Sequence, residues 1–512
     1  MPRNFEAPSS TTPSNTNSIW FNDTALLVSL ALVTVIVHML VGDRYGFHRD
    51  ELATLDDARH LAWGYVAYPP MTPFFARISL ILFGPTLPGF RLFAAIAEAI
   101  AVVLTGLMAR AMGGGRGAQL VSAFAAVPFC LGGGALMQYV SFDYLCWVLA
   151  AYAMVRLLQT ENPKWWLAIG ASLGLGMLAK YTIGIFVVGI VASVFFTDLR
   201  RYLRSKWLWL GVLLSIAVFL PNLLWQMQNH FISLDFLQVI HTRDVRMGRA
   251  KDFLPGQIKM TLFAFPLVLT GLYYCFLASN GKRYRALGWM FVVPLILFVV
   301  LKGREYYFAP VYPMLYAAGS VWAESWLHGL RKFWANTLRA VAVFVLALDI
   351  VFAGAIALPL APIHSKWWNV SSKIQGDFVE ELGWPELVET VAHIWQSLSP
   401  AERAKTGVIA QNYGEAGAIN LFGPSYNLNP VISGVNSFWV RGYGDPPPEL
   451  LIVLGHSSRF LEENFTSCVV VAHTWNRAGV QNEETLDHPD IYLCKGLKKP
   501  WPEFWKDYRH FG

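Results

Sequence analysis

Charge is what this sequence most conspicuously lacks. Of its 512 residues only 14% are Asp, Glu, Lys or Arg, while 55% are hydrophobic, where a soluble globular chain carries about 25% charged residues. A string of soluble domains is thereby excluded. Several chemical signatures are missing as well. There is no Walker-type glycine loop ending in Lys-Ser/Thr, no paired Cys-x-x-Cys and no His-Glu-x-x-His, which argues against phosphate-loop nucleotide chemistry and against the common zinc sites. Gly113-Gly114-Gly115 follows no strand and reads as a turn. Cysteines number only five. Cys130, Cys146 and Cys275 fall in apolar runs as small buried hydrophobes. Cys468 and Cys494 lie in a polar tail, where an oxidising compartment would permit a disulfide, and the sequence leaves their pairing open. No internal repeat and no cleavable signal stand out. Residues 1–20, rich in Ser, Thr, Pro and Asn, read as a disordered tail.

What is present is a series of apolar runs. A membrane span needs roughly 20 mostly apolar residues. The runs 24–42, 88–109, 118–137, 143–159, 165–180, 182–197, 207–225, 258–279, 286–302, 307–326 and 338–359 meet or approach that length, making about eleven spans within residues 21–360. The net charge of +6 is not a nucleic-acid signature, because the basic residues sit in short clusters between spans. Arg110 with Arg116, Arg156 with Lys164, Arg200-Arg201-Arg204-Lys206, Lys282-Arg283-Arg285 and Arg331-Lys332 fall on one side if 165–197 is two spans. By the positive-inside rule that side is cytoplasmic. The N-terminus is then inside, and the tail from about residue 361 is outside. In that tail, strand-length runs (Gly407–Gln411, Leu450–Leu454, Val469–Ala472) alternate with the helical patterns Pro385–Leu398 and Gly414–Leu421. This predicts a small extracytoplasmic α/β domain over 361–512.

Two long loops, 43–87 and 226–257, face outward and are basic against the topological bias. An anionic partner on that face, or anionic lipid head groups, would account for it. The first loop holds Arg49-Asp50-Glu51, adjacent carboxylates able to supply a general base or bind a cation. Asp143 at the mouth of the fourth span, Lys180-Tyr181 at a turn, and Lys302-Gly303-Arg304-Glu305-Tyr306-Tyr307 at a later junction fall on the same face. Ionisable groups at membrane depth tend to mark functional paths, although each alone could be a snorkelling anchor or a helix cap. Carboxylates can deprotonate a hydroxyl while Arg and Lys stabilise a departing phosphate. The combination points to transfer from a lipid-phosphate donor to a hydroxyl. Only His48 and His60 lie near the acidic pair, which leaves a divalent metal ion open. A secondary transporter using Lys180 and Asp143 is the competing reading, against which stands the absence of repeats and of broken midplane helices. A binding protein working through its tail leaves the acidic loop unexplained.

The segments Arg49-Asp50-Glu51, His60 to Val66 and Tyr68-Pro69-Pro70, then Ser141-Phe142-Asp143, Leu178-Ala179-Lys180-Tyr181, Pro221 to Gln226, Tyr306-Tyr307 and Tyr312-Pro313, resemble bacterial glycosyltransferase family 39. Its relatives are the protein O-mannosyltransferases and the aminoarabinose transferase acting on lipid A. The tail segments Gly383 to Val388 and Asn412 to Ala418 resemble tails of some bacterial members. The resemblance implies a GT-C fold in the bacterial inner membrane, a polyprenyl-phosphate sugar donor used on the outer face, and inverting transfer to an envelope lipid, glycan or protein. It places the base at Asp50 with Glu51 beside it, and a supporting acid at Asp143. Arg49, His60, Tyr68, Lys180, Tyr181, Arg243, Lys302, Arg304, Tyr306 and Tyr307 become candidates for holding substrate. One departure stands out. Where the aminoarabinose transferase has an acid and a lysine before proline, this chain has Ala67-Tyr68-Pro69-Pro70, which argues against carrying over its metal site or its lipid A substrate.

Overall fold

The computed structural model describes residues 16–512. Residues 1–15 of the expected tail lie outside them, and the first helix already begins at Thr16. Helices α1 (Thr16–Val41), α2 (Arg49–Arg59), α3 (Met71–Phe83), α4 (Leu87–Ala111), α5 (Arg116–Gly133), α6 (Tyr139–Thr160), α7 (Trp165–Ala179), α8 (Ile183–Phe196), α9 (Lys206–Gln228) and α10 (Ile232–Arg246) are followed by α11 (Phe253–Thr261), α12 (Phe265–Phe276), α13 (Arg285–Val300), α14 (Tyr312–His328) and α15 (Lys332–Ala357). Each apolar run expected to span coincides with a helix or a helix pair. Among the described residues seven of these are long and apolar enough to cross a membrane, or eight if the bent pair Ile183–Phe196 and Asp198–Arg204 counts as one. The 165–197 run is indeed two helices, broken where Lys180 is extended (φ −161°, ψ 138°).

The helix ends carrying the basic clusters share one face. Arg116 pairs with Asp23 of α1 (2.5 Å), and Gly115 N donates to Glu324 of α14 (2.6 Å). Arg283 and Arg201 both pair with Glu161 past the end of α6 (3.1 and 3.4 Å). The loops with α2, α3 and α10, the Lys180 turn and the tail gather at the opposite face.

The tail adds α16 (Lys366–Ile374), α17 (Trp384–Ser397), α18 (Pro400–Arg403) and α19 (Tyr413–Phe422), with strands β1 (Thr406–Ala410), β2 (Leu450–Leu454), β3 (Phe465–His473) and β4 (Asp490–Leu497). The sheet order is β1-β2-β4-β3, with β1 and β2 parallel and the other pairs antiparallel. β1 and β2 are buried along their whole length, which is why they read as unbroken apolar runs. β4, which has no such run, escaped the sequence reading. Cys468 and Cys494 sit opposite one another on β3 and β4 and form a disulfide.

Helix α2 is wedged between the two domains. His48 and Glu51 form its capping box, which satisfies its first free N–H groups. Seven of its eleven residues are buried, because it packs against both α3 and α19. The α19 contact requires small residues. A Cβ on Gly417 would strike the Leu52 backbone at 2.6 Å, and one on Gly414 would strike Trp384 and Arg49.

Candidate functional site

A cavity of about 380 Å³ opens at the junction of α2, α6, α10, the Lys180 turn and the tail. Asp50, Tyr68, Lys180, Tyr181, Arg243, Arg304 and Tyr307 all line it, so seven of the residues named from sequence meet there. One stretch of its wall is apolar, from Ile185, Phe236, Leu237 and Ile240.

The cations are held in different ways. Lys180 ends α7 and lies over the Tyr307 ring at 3.1 Å and the Tyr139 ring at 4.5 Å, close enough for cation–π attraction. Behind it is Asp143, 3% exposed, which accepts from Trp147 Nε1 (2.9 Å) and Thr182 Oγ1 (3.3 Å). Asp143 is not part of the cavity wall; it is the buried counter-charge that fixes the Lys180 turn. Arg304 is clamped by both oxygens of Asp244 (2.5 and 3.0 Å), and Arg249 reaches the same carboxylate (3.2 Å). Arg243, 44% exposed, is the loosest of the three. A planar guanidinium fixed on one carboxylate still presents free N–H groups to a phosphate.

Asp50 accepts from Gln138 Nε2 (3.0 Å) and is hydrogen-bonded by Tyr413, with His48 Nδ1 at 4.0 Å, and it lines the cavity. Thr54 and Asp57 line the same space, as spacings of four and seven on one helix face dictate. Asp57 was not foreseen. Burial pushes its carboxyl up to about 6, against the pull of Arg441 and Tyr68.

Four expectations need correction. Glu51 does not face the cavity. Fully buried, it accepts from Arg91 Nε (2.9 Å) and Nη2 (2.6 Å), from Met137 N (2.9 Å) and from His48 N (3.0 Å), so its oxygens are committed to the fold. Arg49 turns toward the tail, pairs with Glu380 (3.2 Å) and Glu483, and lies over Tyr413. His60 is on the outer rim, 54% exposed, near Asp56 (3.8 Å). Lys302 is exposed and off the cavity wall. Tyr306 stands just behind it, with its hydroxyl 3.4 Å from Arg304 Nη1. Among the described residues no three His, Cys, Asp or Glu side chains converge as metal ligands do.

Sequence reasoning also missed Gln138, Tyr139, Asp244 and Arg441. Asp244 left a trace, as an acid among Arg243, Arg246, Arg249 and Lys251. Arg441 left none; it reaches Asp56 and Asp57 from almost 400 residues away in the chain.

The described residues therefore build a GT-C-type fold, a multi-pass helical membrane domain with a small sheet domain that lines part of its cavity. Residues 67–225 match the family model described as dolichyl-phosphate-mannose-protein mannosyltransferase. Over most of its length the chain has the fold of ArnT from Cupriavidus metallidurans. It aligns with ArnT bound to undecaprenyl phosphate at a TM-score of 0.58 and 16% identity, over 92% of this chain and 97% of that one. The apo form aligns at 0.58 and 15%, over 93% and 98%. No curated protein matches the sequence.

Proposed function

We propose that this protein is a membrane glycosyltransferase that moves a sugar from a polyprenyl-phosphate carrier to an acceptor hydroxyl on the extracytoplasmic face of the bacterial inner membrane. The observation that carries this reading is the joint placement of Asp50, Lys180, Arg243 and Arg304 in one cavity with an apolar wall, on the face opposite the basic helix ends. The neighbour with bound undecaprenyl phosphate supports the choice of donor, and the matched family segment supports the reaction class.

Asp50 takes the proton of the acceptor hydroxyl. The resulting oxygen attacks the anomeric carbon, the bond from that carbon to the phosphate oxygen breaks, and a single displacement inverts the centre. The phosphate leaves with its electron pair and is stabilised by Lys180 and Arg304, which are fixed before reaction by Asp143 and Asp244. Asp143 and Asp244 are positioning residues, since neither faces the reacting atoms. The apolar wall takes the first isoprene units of the carrier.

The test is turnover of a panel of polyprenyl-phosphate sugars by purified wild type and Asp50→Asn. A general base contributes about 10²–10⁴-fold, so the variant loses activity by that factor while keeping its melting midpoint. Unchanged turnover would remove Asp50 from this role. No donor binding by wild type would return weight to the transporter.

A further inference from the structure

One end of the cavity is acidic and hydroxylic, and the transfer chemistry leaves it unused. Asp57, 4% exposed, lines it. Tyr68 donates its hydroxyl proton to Asp57 Oδ2 at 2.6 Å, and Arg441 of the tail binds Oδ1 and spans to Asp56. A carboxylate has about four acceptor sites, so two remain. Thr72, at the start of α3, lines the same cavity and is 1% exposed; its Oγ1 has no hydrogen-bond partner. A buried hydroxyl left unpaired costs free energy and is explained when a ligand completes it. Ser437 closes this end from the tail, its Oγ accepting from Val66 N (3.2 Å) and its own proton free.

We infer that Asp57, Thr72 and Ser437 form a hydroxyl-recognition subsite for the ring of a neutral donor sugar, with Tyr68 and Arg441 positioning Asp57. The inference rests on the glycosyltransferase reading above and specifies its substrate class. Two arguments select this ligand. The first is continuity with the phosphate end. Lys180 lies 4.5 Å from the Tyr139 ring, Tyr139 lies 6.2 Å from the Tyr68 ring, and Tyr68 bonds Asp57. A sugar whose phosphate meets Lys180 extends along this row of side chains.

The second is the donor and acceptor inventory. An ammonium donates only, whereas a sugar hydroxyl both donates and accepts. The subsite offers a carboxylate acceptor together with two hydroxyl groups that can donate. Arg441 also neutralises much of the Asp56–Asp57 charge that an amino sugar would need. Ser437 and Arg441 belong to the tail, and this gives the tail a part in choosing the sugar.

The experiment measures binding of three lipids to the full-length protein in detergent: a polyprenyl phosphate, the same lipid carrying a neutral hexose, and the same lipid carrying an amino sugar. Thr72→Val removes only a hydroxyl that bonds nothing in the protein, so it keeps the fold; Asp57→Asn is the second variant. Both are expected to weaken the neutral-sugar lipid, by roughly 5–10-fold for Thr72→Val and more for Asp57→Asn, and to leave the sugar-free lipid within about 2-fold. The ratio of the two affinities is a readout that a general structural defect would not move. Equal weakening of both lipids, or of neither, overturns the subsite, and Thr72→Val alone is enough to do so if Asp57→Asn fails to fold. Preferential loss of the amino-sugar lipid overturns the neutral-sugar assignment. Failure of wild type to bind any of the three overturns the glycosyltransferase reading together with the subsite.

Discussion

Asp50 and Glu51 are neighbours of similar chemistry, and the structure assigns them opposite fates under the same perturbation. Glu51→Gln removes the charge and half the acceptor capacity of a side chain that takes four hydrogen bonds. Its amide NH₂ would face donors, leaving two N–H groups unmet at about 1–3 kcal/mol each. Removing one partner of a buried ion pair costs about 3–5 kcal/mol. These costs overlap, and Glu381 stays 3.3 Å from Arg91, so the low end, about 3 kcal/mol, is the expected loss. At about 2 °C per kcal/mol for a long chain, the melting midpoint in detergent falls by roughly 6 °C. Asp50→Asn keeps one acceptor oxygen for Gln138 or Tyr413 and moves it by less than about 2 °C. The assay is thermal unfolding of both variants beside donor turnover at a temperature where both stay folded. A Glu51→Gln protein that melts like wild type but has lost 100-fold or more in turnover would refute this assignment and make Glu51 the base.

Other consequences follow from the same geometry. Lys180→Met is expected to weaken polyprenyl-phosphate binding by about 10-fold or more, the value of one charge-assisted hydrogen bond, and to flatten the salt dependence of binding; unchanged affinity would exclude Lys180 from the phosphate. In the tail, burial beside Glu484 pushes the Glu415 carboxyl up to about 8. A raised acid contributes stability that is full below its unfolded value of about 4.5 and is lost as pH rises to its folded value of about 8, so the tail's melting midpoint should drop between about pH 4.5 and 8, and Glu415→Gln should abolish most of that drop. Replacing Cys468 and Cys494 with Ser opens a link across 26 residues and is expected to cost about 2–4 kcal/mol. Tail-specific proteolysis should then rise while the helical domain remains protected.

The apolar runs made the membrane helices legible because a span must be continuous in sequence to satisfy its backbone in lipid. Even the break at Lys180 could be read, as the one charge within 165–197. The tail's buried parallel strands showed for the same reason, whereas β4 carries Tyr492 and Lys495 amid its apolar residues and has no such run. At the candidate site, Asp50 was legible as one of an acidic pair in an outward loop, and Lys180 and Arg304 as ionisable groups at the outer ends of spans. Which of two adjacent carboxylates faces the cavity was not legible. That depends on Arg91, one turn into an otherwise largely apolar span.

The sequence by itself determined that the chain is a helical membrane domain with a small α/β tail, and which segments carry its polar chemistry. These properties are local, written in the length of an apolar run, its period and the charges at its ends. Only the tertiary structure decided which charges are spent on the fold. Glu51 and Arg49 are consumed by partners on other elements, Asp143 is set behind Lys180, and Asp57 is drawn into the site by Arg441. Each of those outcomes is a contact between residues far apart in the chain, and a side chain's role is settled by which distant neighbour neutralises it.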